Sequence, residues 1–145
     1  MLQEKIRIII VDDHQLIRET WKLLLEQDER FVIVAECSNG AEAIETAATV
    51  EADVMLMDVN MQPVNGFEAT KKIVRQSPSL KIIGVSVNSQ PSYAKNMIQL
   101  GARGYVTKDC TKKEMIHAIL TVYSGGRYIS EEIRKKNPGN NETGA

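Results

Sequence analysis

The sequence predicts an α/β domain, a five-stranded parallel sheet doubly wound by helices on both faces. Three observations point there. Apolar runs of strand length alternate five times with stretches of helical period. Three of those runs are apolar without alternation, as strands covered on both faces are. Carboxylates, a hydroxyl and a lysine stand where four of the five runs end.

The elements follow in chain order. Ile6–Val11 is the first strand, bounded by Asp12 and Asp13. From Gln15 to Gln27, residues Leu16, Ile17, Thr20, Trp21, Leu24 and Leu25 share one face of a helix. Phe31–Ala35 is the second strand. Asn39-Gly40 breaks the chain before a short Ala-rich helix, Ala41–Ala48. Asp53–Met57 is the third strand and Asp58 ends it. After the loop 61–66 a helix runs from Phe67 to Gln76 and stops at Ser77-Pro78. Lys81–Val87 is the fourth strand. Pro91–Leu100 is the fourth helix, with Gly101 placed to cap it. Gly104–Thr107 is the fifth strand. Thr111 with Glu114 reads as a capping box, opening a helix that ends near Ser124, before Gly125-Gly126. The pattern alone leaves strand order open; 2-1-3-4-5 is the common solution.

Composition narrows the function classes. The 145 residues allow one domain and a short tail. Net charge is −1, which gives no electrostatic case for nucleic-acid binding by the domain as a whole. The longest apolar runs fall far short of the ~20 residues of a membrane span. The first apolar run ends in two acids with no small-residue cleavage site, so it does not read as a signal peptide. Cys37 and Cys110 lack metal-ligand spacing and read as free thiols of a reducing compartment, which places the chain in the cytoplasm. Trp21, Met55 and Met57 read as core. His14 reads as the start of the first helix or the rim of a site, and His117 as a packing or interface residue. Arg134-Lys135-Lys136 reads as a solvated face.

In a parallel sheet all carboxyl ends share one edge, and ligands bind in the crevice there. Asp12, Asp13, Asp58, Ser86 and Lys108 therefore converge. A lone Asp after a strand is commonly a helix cap; the joint pattern is what carries weight. Three carboxylates repel unless one is protonated or a cation compensates. Lys108 supplies one positive charge and a hard divalent ion two more. An all-oxygen donor set suits Mg²⁺, or Mn²⁺. In that frame Asp58 is the nucleophile that becomes an acyl phosphate. Asp13 and Asp58 hold the metal, with the backbone carbonyl of Asn60 and, through water, Asp12. Lys108 and Ser86 contact phosphoryl oxygens.

The set Val11-Asp12-Asp13-His14, Met57-Asp58-Val59-Asn60-Met61, Ser86 and Lys108 resembles the receiver domain of two-component response regulators. The resemblance covers about residues 5–128 and implies the flavodoxin-like (βα)5 sandwich. Residues 101–130 are similar to the end of NarL/FixJ-type receivers, usually followed by a LuxR-type helix-turn-helix. The resemblance implies phosphoryl transfer to Asp58 from a sensor histidine kinase or phosphotransfer protein, with Mg²⁺. It implies a signalling domain that assists its own phosphorylation and dephosphorylation, not a turnover enzyme. Ser86 and Tyr105 would be the switch pair: Ser86 moves toward the phosphoryl group and Tyr105 swings inward. The face of helix four, strand five and helix five would then change partners. Dimerisation on phosphorylation is a further implication. One departure stands out: such receivers usually carry Pro directly after the Met, whereas here Gln62 follows Met61 and Pro63 comes next. Gly66 keeps its usual distance from Asp58.

Other readings fare worse. An aspartyl phosphatase needs a second acid where Asn60 stands. A flavin carrier needs a phosphate loop where Asp12-Asp13 would repel the phosphate. A receiver serving only as a docking module typically lacks the acid pair or the lysine, and this chain keeps both. The domain is expected to span residues 1–130, with 131–145 a disordered linker or tail in which Glu131–Lys136 could extend a little helix. DNA would be contacted only through a C-terminal domain absent from this chain, either because the chain is the receiver half of a transcription factor or because it is a single-domain receiver.

Overall fold

β1 (Ile6–Val11) is an inner strand of the sheet, and its side chains alternate between two cores. The computed structural model describes residues 4–136. In chain order it holds α1 (Gln15–Glu26), β2 (Phe31–Cys37), α2 (Gly40–Thr49), β3 (Val54–Asp58), α3 (Gly66–Gln76), β4 (Lys81–Ser86), α4 (Pro91–Gln99), β5 (Gly104–Thr107), α5 (Lys112–Tyr123), β6 (Tyr128–Ile129) and α6 (Glu131–Lys136). All neighbouring strands are parallel, in the order β2-β1-β3-β4-β5-β6. The expected order of the first five strands holds.

The period of two along each strand sorts residues to opposite faces. Ile9, Val11, Met55, Met57, Ile82 and Tyr105 lie in one core with residues of α2, α3, α4 and α6. Ile8, Ile10, Val54, Leu56, Ile83, Val85 and Val106 lie in the other, with Trp21 and Leu25 of α1 and Met115, Ile119 and Val122 of α5. Strands sandwiched this way need apolar side chains on both faces, which is why β1, β3 and β4 lack alternation.

Two glycines are dictated by space. Gly101 follows α4 with φ +113°, and a Cβ there would meet Val74 at 2.8 Å. Gly66 opens α3 directly against the Asp58 backbone, where a Cβ would overlap the chain. Asn39, Asn65 and Thr111 cap α2, α3 and α5, each side chain accepting from the amide three residues on.

Three expectations change. The sheet has a sixth strand, too short for any period to reveal. The stretch from 131 is not all disordered: 131–136 form α6, and its one apolar residue, Ile133, is buried. Composition reads that charged stretch as solvated because a single apolar residue carries its whole inward face. Residues 137–145 of the expected tail lie outside the described residues. The reciprocal half of the capping box is also missing. The Glu114 carboxylate instead accepts from the Tyr128 hydroxyl at 2.7 Å and the Glu131 amide at 3.1 Å, tying α5 to β6 and to the start of α6.

Candidate functional site

Strand ends deliver the site. Asp12 directly follows β1, Asp58 is the last residue of β3, Ser86 is the last of β4, and Lys108 directly follows β5. The structure brings them to one edge. The Lys108 ammonium lies 3.0 Å from Asp12 Oδ2 and 3.2 Å from Asp58 Oδ2. All three side chains are nearly withdrawn from water, with exposures of 10%, 5% and 0%.

That burial has an electrostatic consequence. The Asp58 carboxyl is pushed up to about 6, first by burial and then by the charge of Asp12. Lys108 and the Asn60 amide act against the shift without cancelling it. Asp58 Oδ1 accepts from that amide at 3.1 Å. Asp58 Oδ2 is buried, with the Lys108 ammonium 3.2 Å away as its ion-pair partner. Burial pulls the Lys108 ammonium down, yet Asp12 and Asp58 outweigh it and hold the group above its ordinary value.

Beside this ion cluster runs a chain of neutral hydrogen bonds. Ser86 Oγ donates to Asn60 Oδ1 at 3.1 Å and accepts from the Asn88 amide at 3.0 Å. The Asn88 carbonyl accepts from the Tyr105 hydroxyl at 2.9 Å. Tyr105 is fully buried, its hydroxyl pushed up to about 12 by that burial. The aromatic therefore stands inward, and Ser86 faces Asn60.

Asp13 sits at the exposed rim. His14, the N-cap residue of α1, directs Nδ1 to within 2.9 Å of both Asp12 Oδ1 and Asp13 Oδ1. One ligand atom from each of Asp12, Asp13, His14 and Asp58 lies within 4.8 Å of the others. Carboxylate oxygens dominate this set, and three acidic side chains converge there. The residues therefore fit a hard divalent cation. The site opens into a cleft of about 480 Å³ lined by Asp13, Asn60, Met61, Gln62, Phe67 and Tyr93. The Gln62-Pro63 peptide is cis, and Val64, with φ 61°, accepts from the Gly40 amide at 3.1 Å.

Sequence reasoning left out two contributors, Arg18 and Asn88. Arg18 donates to the Asp12 carbonyl at 2.7 Å, six residues away and legible only once α1 is placed. Asn88 links Ser86 to Tyr105 through its backbone, which no residue type reveals. His14 was expected at the rim and is there, but its contacts to both acids were not foreseen. His117 is exposed and meets Tyr128 edge to face, 5.2 Å between centroids.

Fold and site define a class: a doubly wound domain that gathers carboxylates for a cation, and a lysine and hydroxyl suited to an anion, at one sheet edge. The chain belongs to the response regulator receiver domain family, whose model matches residues 8–120. It is similar to the transcriptional regulatory protein DegU of Brevibacillus brevis, 37% identical over 131 residues, 90% of this chain and 56% of that protein. It thus spans little more than half the length of that relative. It superposes on the crystal structure of a LuxR-family two-component response regulator from Aurantimonas sp. SI85-9A1. There the TM-score is 0.90 and the identity 28%, covering 96% of this chain and 99% of the other. It also resembles the isolated receiver domain of RcsB from Salmonella enterica serovar Typhimurium, solved with the phosphomimetic BeF3-. That match has a TM-score of 0.83 and 25% identity, covering 91% of this chain and 98% of the other. Among the described residues no helix is long and apolar enough to cross a membrane.

Proposed function

We propose that this receiver accepts a phosphoryl group on Asp58 from a sensor histidine kinase or a phosphotransfer protein, and passes the change to an output. The observation that carries the reading is the Asp58 carboxylate at the end of β3, gathered with Asp12 and the Lys108 ammonium at one sheet edge. A carboxylate so placed can attack phosphorus while the lysine balances the incoming negative charge.

In the transfer, an Asp58 oxygen bonds to phosphorus as the bond to the donor's imidazole nitrogen breaks. The imidazole leaves with that electron pair and is reprotonated from water. Lys108, 3.2 Å from Asp58 Oδ2, moves from pairing the carboxylate to pairing a phosphoryl oxygen. Ser86 turns its single proton from Asn60 to another. Asp13 and Asp58, the Asn60 carbonyl and, through water, Asp12 would hold Mg²⁺; Mn²⁺ suits the same donors. The ion, when bound, supplies positive charge against the phosphoryl oxygens. Asp58 takes up the group and the domain assists its own phosphorylation and later dephosphorylation, so it is a signalling module and not a turnover enzyme.

The phosphoryl group adds about 1.5–2 negative charges and three strong acceptors. Inverting a 1:99 equilibrium takes ~5.5 kcal/mol. Two charge-assisted bonds of ~1.5–3 kcal/mol each, from Lys108 and Ser86, come close to that. Control of transcription through a DNA-binding segment outside this chain is the output we favour, because DegU is a transcriptional regulator.

Intact-protein mass spectrometry after incubation with acetyl phosphate and Mg²⁺ tests the reading. Wild type should gain one phosphoryl group, and Asp58→Ala or omission of Mg²⁺ should remove the gain. An unmodified, folded wild type would overturn phosphoacceptance.

A further inference from the structure

We propose that β6 and α6 form a clasp on α4 and β5 whose hold is set by the occupancy of Asp58. The proposal rests on the receiver reading above and adds a regulated element outside the residues that handle the phosphoryl group.

The clasp touches the site's hydrogen-bond chain at Tyr105 and the loop beside that chain at Ser89. The Ser130 amide donates to the Tyr105 carbonyl at 2.9 Å, and Ile129 pairs in register with Tyr105. At the far end, Lys136 donates to Ser89 Oγ, in the loop directly after Ser86-Val87-Asn88. Between these points Ile133 is 3% exposed, in the same core as Ala94 and Met97 of α4 and Tyr105 of β5. The Arg134 guanidinium donates to the Ile129 carbonyl at 2.8 Å and lies over the Tyr128 ring. A charged six-residue helix has little stability of its own; this one exists because it is docked.

Five bonds lead from Asp58 to the clasp. Asn60 N donates to Asp58 Oδ1, Ser86 Oγ to Asn60 Oδ1, Asn88 N to Ser86 Oγ, Tyr105 Oη to the Asn88 carbonyl, and Ser130 N to the Tyr105 carbonyl. A charged acceptor on Asp58 outcompetes the neutral Asn60 amide oxygen for the one proton of Ser86. Ser86 then has a stronger anchor. Asn88 is bound to Ser86, and the buried Tyr105 hydroxyl must keep its partner Asn88. The whole 86–89 segment is held more firmly, and with it both attachment points of the clasp. Occupancy of Asp58 therefore tightens β6 and α6. By linkage, loosening the clasp weakens binding at Asp58 by the same factor.

Hydrogen exchange followed by mass spectrometry on the full chain tests this, with BeF3- and Mg²⁺ as the probe at Asp58. In wild type the amides of Ser130, Ile133 and Arg134 should exchange several-fold more slowly when BeF3- is bound. Ile133→Ala should largely abolish that difference and weaken BeF3- binding, measured by 19F NMR, by a matching factor. Lys136→Ala, a surface change that leaves the core intact, should do the same to a smaller degree. Bound BeF3- with unchanged exchange at 128–136 would overturn the clasp and leave the receiver reading standing. Failure of BeF3- to bind wild type at all would overturn both.

Discussion

The two edges of the sheet carry similar chemistry in different surroundings. At the carboxyl edge Asp12, Asp58 and Lys108 meet in near-complete burial. At the amino edge Glu51, Asp53 and Arg7 form a matching set of two acids and a base. There the Arg7 amide donates to Asp53 Oδ2 at 2.8 Å, and its guanidinium reaches Asp53 Oδ1 at 3.4 Å and Glu51 Oε2 at 3.0 Å. Glu51 is 90% exposed. The lower set is hydrated and hydrogen-bonded, so its members neutralise one another at little cost. The upper set has lost water and holds two acids against one lysine, so one carboxyl is displaced to about 6 by burial and by the charge of Asp12. Burial, not residue type, separates the two sets: the lower one braces the fold, and the upper one is the set proposed to take up a cation and an anion.

Removing a metal-holding acid should have the largest effect. Asp13→Ala is expected to abolish Mg²⁺-dependent labelling by acetyl phosphate while the circular dichroism spectrum is unchanged. Retained labelling would sink the metal assignment. No such loss should follow substitution of either lower acid.

Stability should separate the edges by sign. The Asp58 carboxyl stands at about 6 in the folded protein against an ordinary 3.8. Between those values the folded state binds more protons than the unfolded chain, so stability falls as pH rises from about 4 to 6. Asp58→Asn removes that penalty. In the presence of a chelator it should raise stability at pH 7 by about 2–3 kcal/mol, a gain that shrinks below pH 6 and is gone near pH 4. Asp53→Ala should instead lower stability by about 1–2 kcal/mol, since it strips the partner from the Arg7 amide. Denaturant midpoints across that pH range decide it. A destabilised Asp58→Asn at pH 7 would mean that the upper cluster is a structural brace after all.

The upper set was legible before the fold was known; the pairing of Arg7 with Glu51 and Asp53 was not. Strand-ending positions placed Asp12, Asp58, Ser86 and Lys108 together because a parallel sheet has a single carboxyl edge. The sandwich was legible because strands buried on both faces cannot alternate. What stayed hidden lacks a side-chain signature. The relay through Asn88 uses backbone atoms. β6 is two residues long and α6 buries one side chain, so neither has a period to detect. The diversion of Glu114 from its own helix cap to Tyr128 depends on a strand that the sequence does not announce. Whether Tyr105 stands inward is a matter of rotamer and packing, set by Gly84, whose missing Cβ leaves room for the Tyr105 ring and Met97.

The smallest expected effect is the sharpest check on the lower edge. Glu51 is almost wholly solvated and makes one bond, to Arg7 Nη1. Arg7 remains held by Asp53 through its amide and its other guanidinium nitrogens. Water replaces what Glu51 provides, and mobile ions screen the remaining attraction. Glu51→Gln should therefore shift stability by no more than about 0.5 kcal/mol at low salt, and by less at high salt. A salt-insensitive loss well above ~1 kcal/mol would show that the lower set, too, is organised by desolvation, and burial would then no longer distinguish the two edges.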